Sequence, residues 1–240
     1  MLDLNRAHLS IERINVAIND AIERATAARA ELPRPYLGAS IVGDECLRKV
    51  QYDWWCRPEH SGRIREIFDR GHYFEQRARM RLVGAGFKFA PRELLSFCAV
   101  NGLLRGNCDG IIIAGPDLAG AYVIYPALWE HKAVNAKNWR VLERDGLEKA
   151  FPRYAAQVAL YQAYLDKTNP ALFTATNADA CEQLHFLVPF NAARAQLWSD
   201  RAVDVIEATR AGELLARAYD DQGDWHCRMC PHAKRCWGVT

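Results

Sequence analysis

The sequence predicts a single α/β domain in which a sheet is flanked by helices. Apolar periodicity changes from helical to extended and back, in the order helices, β-meander, helix, strand, helix. The chain has 240 residues, 50% hydrophobic and 25% charged, an average globular mixture long enough for one large core without covalent staples. No internal repeat or low-complexity linker divides it.

Ile11, Ile14, Ile18 and Ile22 recur at helical spacing, so residues 7–30 are expected to form an amphipathic helix that stops at Leu32-Pro33-Arg34-Pro35. A short helix after Asp44 carries Cys46 and Arg48 toward Tyr52 and Trp54, and a long one runs from Gly62 to Val83, ending at Gly84-Ala85-Gly86. Extended segments follow: Glu93–Val100, a turn at Asn101-Gly102, Leu103–Gly106 and Cys108–Ala114 read as paired strands. Ala121–Val134 reads as a further strand with an irregularity at Pro126. Helices are expected at Ala136–Arg144 and Pro152–Leu165, a strand at Gln183–Val188, and a last helix over Ala192–Ala218. The division is an N-terminal helical part (1–92), a sheet-containing core (93–190) and a C-terminal helix with a cysteine segment (191–240).

Composition excludes several classes. The apolar fraction and a formal net charge of +2 argue against disorder. No apolar run is long enough for a membrane helix, and Met1-Leu2-Asp3-Leu4-Asn5-Arg6 has no signal-type apolar core, so a cytoplasmic address is expected. In that compartment eight cysteines point to metal or cluster ligation before disulfides. Charge is uneven: residues 57–92 hold nine Lys or Arg against four Asp or Glu, whereas 191–224 hold seven acids against four bases. A basic segment on a nearly neutral protein suits a polyanion, and equally a solvated helix face.

The strongest local signal is Cys227-Arg228-Met229-Cys230-Pro231-His232-Ala233-Lys234-Arg235-Cys236. Its spacing brings three thiolates to one metal centre, and a soft metal needs a fourth ligand from elsewhere. Cys46, in the polar context Gly43-Asp44-Glu45-Cys46, is the preferred fourth, with Cys56 in reserve. Cys98, Cys108 and Cys181 lie in apolar or strand-like segments and read as buried free thiols. Spacing does not separate zinc, for which His226 and His232 are further candidates, from an iron–sulfur cluster. Either would close most of the chain into one loop and act structurally.

A second constellation lies between these cysteines. Asp109 opens the apolar strand Ile111–Ile113, and Glu130 and Lys132 stand two apart on a predicted strand, hence on one face with His131 turned away. Two carboxylates on neighbouring strands suit a divalent cation, and a lysine beside the metal-bound water completes a set fit for phosphodiester hydrolysis. Alone, the pattern also describes a turn aspartate and a surface ion pair. Upstream, Glu75 on the long helix offers a third carboxylate and His72, one turn earlier, a second possible ligand. Downstream, Tyr154, Gln157 and Tyr161 share a helical face suited to a nucleic-acid strand, or to a core with its hydroxyls at the surface.

Taken together these residues resemble the RecB-like branch of the PD-(D/E)XK nucleases, and most closely its iron–sulfur members, the CRISPR-associated exonucleases and their phage and recombination relatives. The resemblance runs from Cys46 to Cys236 in the family's order: Cys46, Gly71 with Glu75, Asp109, Glu130 with Lys132, Gln157 with Tyr161, then Cys227, Cys230 and Cys236. It implies a restriction-endonuclease-like core with a mixed central sheet, and a 4Fe–4S cluster on Cys46, Cys227, Cys230 and Cys236. It further implies a Mg- or Mn-dependent exonuclease that degrades single-stranded DNA, with metal ligands among Glu75, His72, Asp109 and Glu130. Many relatives place histidine where this chain has Glu75. Gln157, Tyr161, Tyr154 and the basic 57–92 segment would guide the strand. No G-x-x-x-x-G-K-[ST] is present, so unwinding falls to a helicase, recombination or CRISPR-adaptation partner. An oligomer is compatible with this reading. The rival reading is a DNA-end-binding or processing-complex subunit with a weak or silent nuclease centre.

Overall fold

The structure is a computed structural model and describes residues 7–29, 34–56 and 60–238, with side chains from Glu12 onward. The helix stop expected at Leu32-Pro33 lies outside the described residues. Helix α1 (Ala7–Ala27) packs on the long α4 (Gly62–Gly84) through polar contacts. Glu23 accepts from the backbone N–H of Gly62 at 2.6 Å and Arg63 at 2.9 Å, a carboxylate cap on α4 that adds to the Ser61 cap. The isoleucine stripe of α1 therefore does not face the core: Ile14, Ile18 and Ile22 are each about half exposed.

After β1 (Leu37–Gly38), α2 (Ala39–Val42) and α3 (Leu47–Trp55) come α4 and the strands β2 (Lys88–Phe89), β3 (Ser96–Ala99), β4 (Leu104–Asn107), β5 (Gly110–Ala114) and β6 (Ala127–Val134). The expected meander is split between two sheets. β3 and β4 form an antiparallel hairpin, which with β1 makes a three-stranded sheet. β5 instead joins a five-stranded mixed sheet of order β2-β5-β6-β7-β8. The break falls at Cys108-Asp109: the Cys108 N–H donates to Leu95 O at 2.9 Å, continuing the β3–β4 register, and from Gly110 the chain pairs with β6 in the second sheet. Two expected strands are also shorter. Residues 92–94 form a 3₁₀ turn ahead of β3, and β6 starts only after Pro126, which has no N–H for a ladder.

Helices α5 (Ala136–Ala150, broken at Gly146 with φ 72°) and α6 (Pro152–Tyr164) cross over to β7 (Ala171–Asn177), which pairs parallel to β6. β7 is buried along its whole length and so lacks the alternation that marks a half-exposed strand. β8 (Gln183–Val188) closes the sheet, antiparallel to β7. Helix α7 (Ala192–Ala211) stops at Gly212, whose left-handed φ of 74° is the usual glycine terminator, before the expected Ala218. The main core packs Leu160, Phe173, Val205 and Ile206 together, and a smaller cluster under α4 joins Ala78, Leu82, Ile112 and Trp129. Among the described residues no helix is long and apolar enough to cross a membrane.

Segment 213–237 returns to α3. The buried Gln51 amide donates to Glu213 O at 2.8 Å, and its oxygen accepts from the Leu215 N–H at 2.7 Å. Arg48 reaches Leu215 O at 2.7 Å. Short helices α8 (Trp225–Arg228) and α9 (Ala233–Trp237) end the described chain.

Candidate active site and cysteine cavity

Pairing of Gly110 with Trp129 across β5 and β6 places Asp109 beside Glu130. Asp109 Oδ2 accepts from the His131 N–H at 2.8 Å, fixing the aspartate to the neighbouring strand. Glu130 is wholly buried, and its Oε1 accepts from Lys132 Nζ at 2.5 Å and Gln157 Nε2 at 2.7 Å. Gln157 also donates to the Tyr161 hydroxyl at 3.0 Å. Glu130 Oε2 is buried with no hydrogen-bond partner among the described residues. A bare carboxylate oxygen in the interior is costly unless a cation or donor meets it.

Glu75 comes from α4, half-buried, with His72 Nδ1 3.6 Å from its Oε2. His72 itself is 80% exposed at the side chain. The three carboxylates oppose one another's ionisation. Burial and then Asp109 push Glu130 up to about 8 despite Lys132, and burial followed by Asp109 raises Glu75. Burial raises Asp109 as well, outweighing Lys132 and the His131 N–H. Burial disfavours the Lys132 charge, yet Glu130 and Asp109 more than offset it and hold the ammonium charged. His131 points to the other face, bonded to Thr176 Oγ1 at 2.8 Å and held neutral down to about 3 by burial.

Of the two faces the sequence allowed the Tyr–Gln stripe, the core one describes Gln157 and Tyr161. Gln157 and Tyr161 are buried, spent on Glu130 and on packing against Phe97. Tyr154 is half-buried, with Lys132 Nζ 5.4 Å from its ring centroid. The basic 57–92 segment is divided too. Arg79 lies over the Phe89 ring and reaches Asp109 O at 3.3 Å, whereas Arg63, Arg70 and Arg77 lie on another side of α4.

Cys46 caps α3, Cys227 lies in α8, Cys236 in α9 and Cys230 between them. All four line one cavity of about 770 Å³, walled further by Tyr52, Phe68 and Trp237. Cys56 is not in that wall. Cys108 is buried, its thiol pushed up to about 12 by burial, but Cys98 and Cys181 are exposed, contrary to expectation, on an edge strand and a turn. Burial first, then Asp224, Cys236 and Cys46, raises Cys227. Thiols that resist ionisation singly are deprotonated on a metal centre. His232 and His226 also line the cavity, each with one ring nitrogen on an aspartate: Asp53 at 2.8 Å and Asp224 at 2.9 Å. Among the described residues no three His, Cys, Asp or Glu side chains already close on one point as ligands of an ion. The structure supplies two sets of donors, one of oxygen and one of sulfur.

No protein-family model matches the chain, and no curated protein matches it in sequence. Solved structures do. The crystal structure of LHK-Exo, an alkaline exonuclease from Laribacter hongkongensis, in complex with dAMP aligns at TM-score 0.52 and 17% identity, over 79% of this chain and 93% of that one. A second crystal structure of that exonuclease gives TM-score 0.49 at 16% identity, over 80% and 93% of the two chains. The crystal structure of SSO0001 gives 0.48 at 12%, over 93% and 97%. At these identities the likeness is one of fold: the chain is a mixed α/β protein of restriction-endonuclease-like architecture, with mixed sheets flanked by helices.

Proposed function

We propose that this protein is a divalent-metal-dependent DNA exonuclease acting on single strands, with Asp109, Glu130, Lys132 and Glu75 as its catalytic residues. One observation carries the reading: Glu130 Oε2 is buried and bare beside two further carboxylates that raise one another's proton affinity. Hard oxygen donors that repel each other fit a Mg²⁺ or Mn²⁺ ion. Asp109 and Glu130 would hold it, with Glu75 completing the set and His72 its exposed neighbour.

When bound, such a cation polarises the scissile phosphate and activates water. Lys132 and Gln157 hold Glu130 by one oxygen, with Tyr161 accepting from Gln157 behind it, which leaves the other oxygen turned free. Lys132, kept charged by two carboxylates, orients the water and offsets charge that builds on the phosphate oxygens. Arg79 steadies the Asp109 backbone. Tyr154 is the member of the stripe a strand can touch. The fold of LHK-Exo, solved with dAMP, agrees with a nucleotide substrate.

The reading includes a 4Fe–4S cluster on Cys46, Cys227, Cys230 and Cys236, supported by four thiols on one cavity wall. The group is structural, drawing segment 213–237 onto α3. The reading includes helicase, recombination or CRISPR-adaptation partners, which the sequence resemblance implies.

The test is cleavage of end-labelled single-stranded DNA with Mn²⁺ or Mg²⁺. EDTA and Lys132→Ala should each abolish it, the latter with the melting curve preserved. Cleavage that persists in Lys132→Ala overturns the assignment.

A further inference from the structure

Helix α4 carries chemistry on two sides. At about 100° per residue, residues seven apart share a face, so Arg63, Arg70 and Arg77 form one stripe. That stripe lies about 120–160° around the helix from Glu75. All three arginines are exposed, and none has an ion-pair partner among the described residues. Of the acids of the same stretch, Asp69 pairs with Arg29 at 2.7 Å and Glu75 faces Asp109 and His72, whereas Glu66 lies one turn from Arg63 and Arg70 on their side of the helix and accepts from the Thr26 hydroxyl of α1 at 3.5 Å. Packing of α1 against the first half of α4 leaves the stripe open. Tyr73, 58% exposed, stands beside it.

Guanidinium groups spaced two helical turns apart, about 10 Å, present planar donor forks along about 20 Å of surface. Such forks match phosphate oxygens, and an exposed ring beside them suits a base. An α-helix with its side chains is about 10 Å across, so a phosphate gripped here is not the one lying against Glu75, Asp109 and Glu130.

We infer that the outer face of α4 is a second nucleic-acid contact, with Arg63, Arg70 and Arg77 holding the sugar–phosphate backbone of the substrate strand away from its cleaved end. This rests on the reading of DNA as substrate and extends it: the preferred substrate is long enough to pass from the carboxylates around α4. Affinity then depends on strand length, and the stripe's share of it on salt.

The experiment uses the full chain in EDTA, with binding followed by fluorescence anisotropy across a salt series. Probes are single strands of about 30 and about four nucleotides, the shorter unable to span the helix. Replacing the three arginines together by glutamine should lower the slope of log affinity against log salt by about 2 for the long strand, at about 0.7 per phosphate contact. Binding of the short strand should fall much less than that of the long one, and the triple Arg→Lys variant should restore most of the slope. A wild-type slope in the glutamine variant overturns the inference, and is the outcome expected if the stripe serves an acidic protein instead. An equal loss on both strands also overturns it. Stripe-dependent binding without cleavage by the wild-type protein would uphold the inference and remove the nuclease reading.

Discussion

The raised proton affinity of Glu130 makes cation binding a proton-exchange reaction. In the cation-free protein, burial and Asp109 hold this carboxyl protonated up to about pH 8, well above its ordinary 4.5. A cation seated on Glu130 must displace that proton. At pH 7, below that value, most molecules carry it, so ion binding should be accompanied by proton release. Lowering the pH from 8 to 6 should therefore weaken apparent affinity by roughly an order of magnitude or more. Folding shows the converse sign. Between pH 4.5 and about 8 the native state keeps a proton that the unfolded chain gives up, so cation-free stability falls as pH rises through this window. Titration calorimetry with Mn²⁺ in two buffers of different ionisation enthalpy measures the release directly. Glu130→Gln should remove both the release and most of the binding. Binding that is independent of pH, with no proton released, would refute the assignment of Glu130 as a ligand.

Two further outcomes follow from the cysteine end. Cys46→Ser should abolish visible absorbance after anaerobic purification, whereas Cys56→Ser, outside the cavity wall, should keep it; loss in both would mean a general folding defect. Gln51→Leu strands the Leu215 N–H and Glu213 carbonyl and should cost about 2–3 kcal/mol, a Tm drop of roughly 4–12 °C by circular dichroism. An unchanged Tm would show that segment 213–237 is not anchored there.

Elements with clear boundary signals were legible in the sequence. The long α4, α6 and the β8 strand fall within a residue or two of expectation because periodicity and caps agree there. β7 was missed because a strand covered on both sides has no alternating pattern to read. The split of the meander was missed because local turn chemistry does not tell which sheet a strand joins: Cys108 still bonds to Leu95 in the first sheet, while Gly110, two residues on, pairs with Trp129 in the second. The pairing of Asp109 with Glu130 and Lys132 could be foreseen from strand geometry. For Gln157 and Tyr161 a strand-binding face and a core face both stayed open, since a tyrosine–glutamine stripe looks the same whether it meets solvent or a buried carboxylate; both side chains are buried. The isoleucines of α1 show the same ambiguity in reverse: the period is helical, but the face turned to α4 is the polar one.

The parallel pairing of β6 with β7 obliges the chain to pass over the sheet between them, and α5 with α6 is that passage. Glu130, Lys132, Gln157 and Tyr161 thus belong to one continuous supersecondary unit, residues 127–177. Units of this kind open and close together in hydrogen exchange. Amides around Glu130 and Gln157 should therefore share one protection level, and should keep it when the distant thiol-lined end of the molecule is loosened.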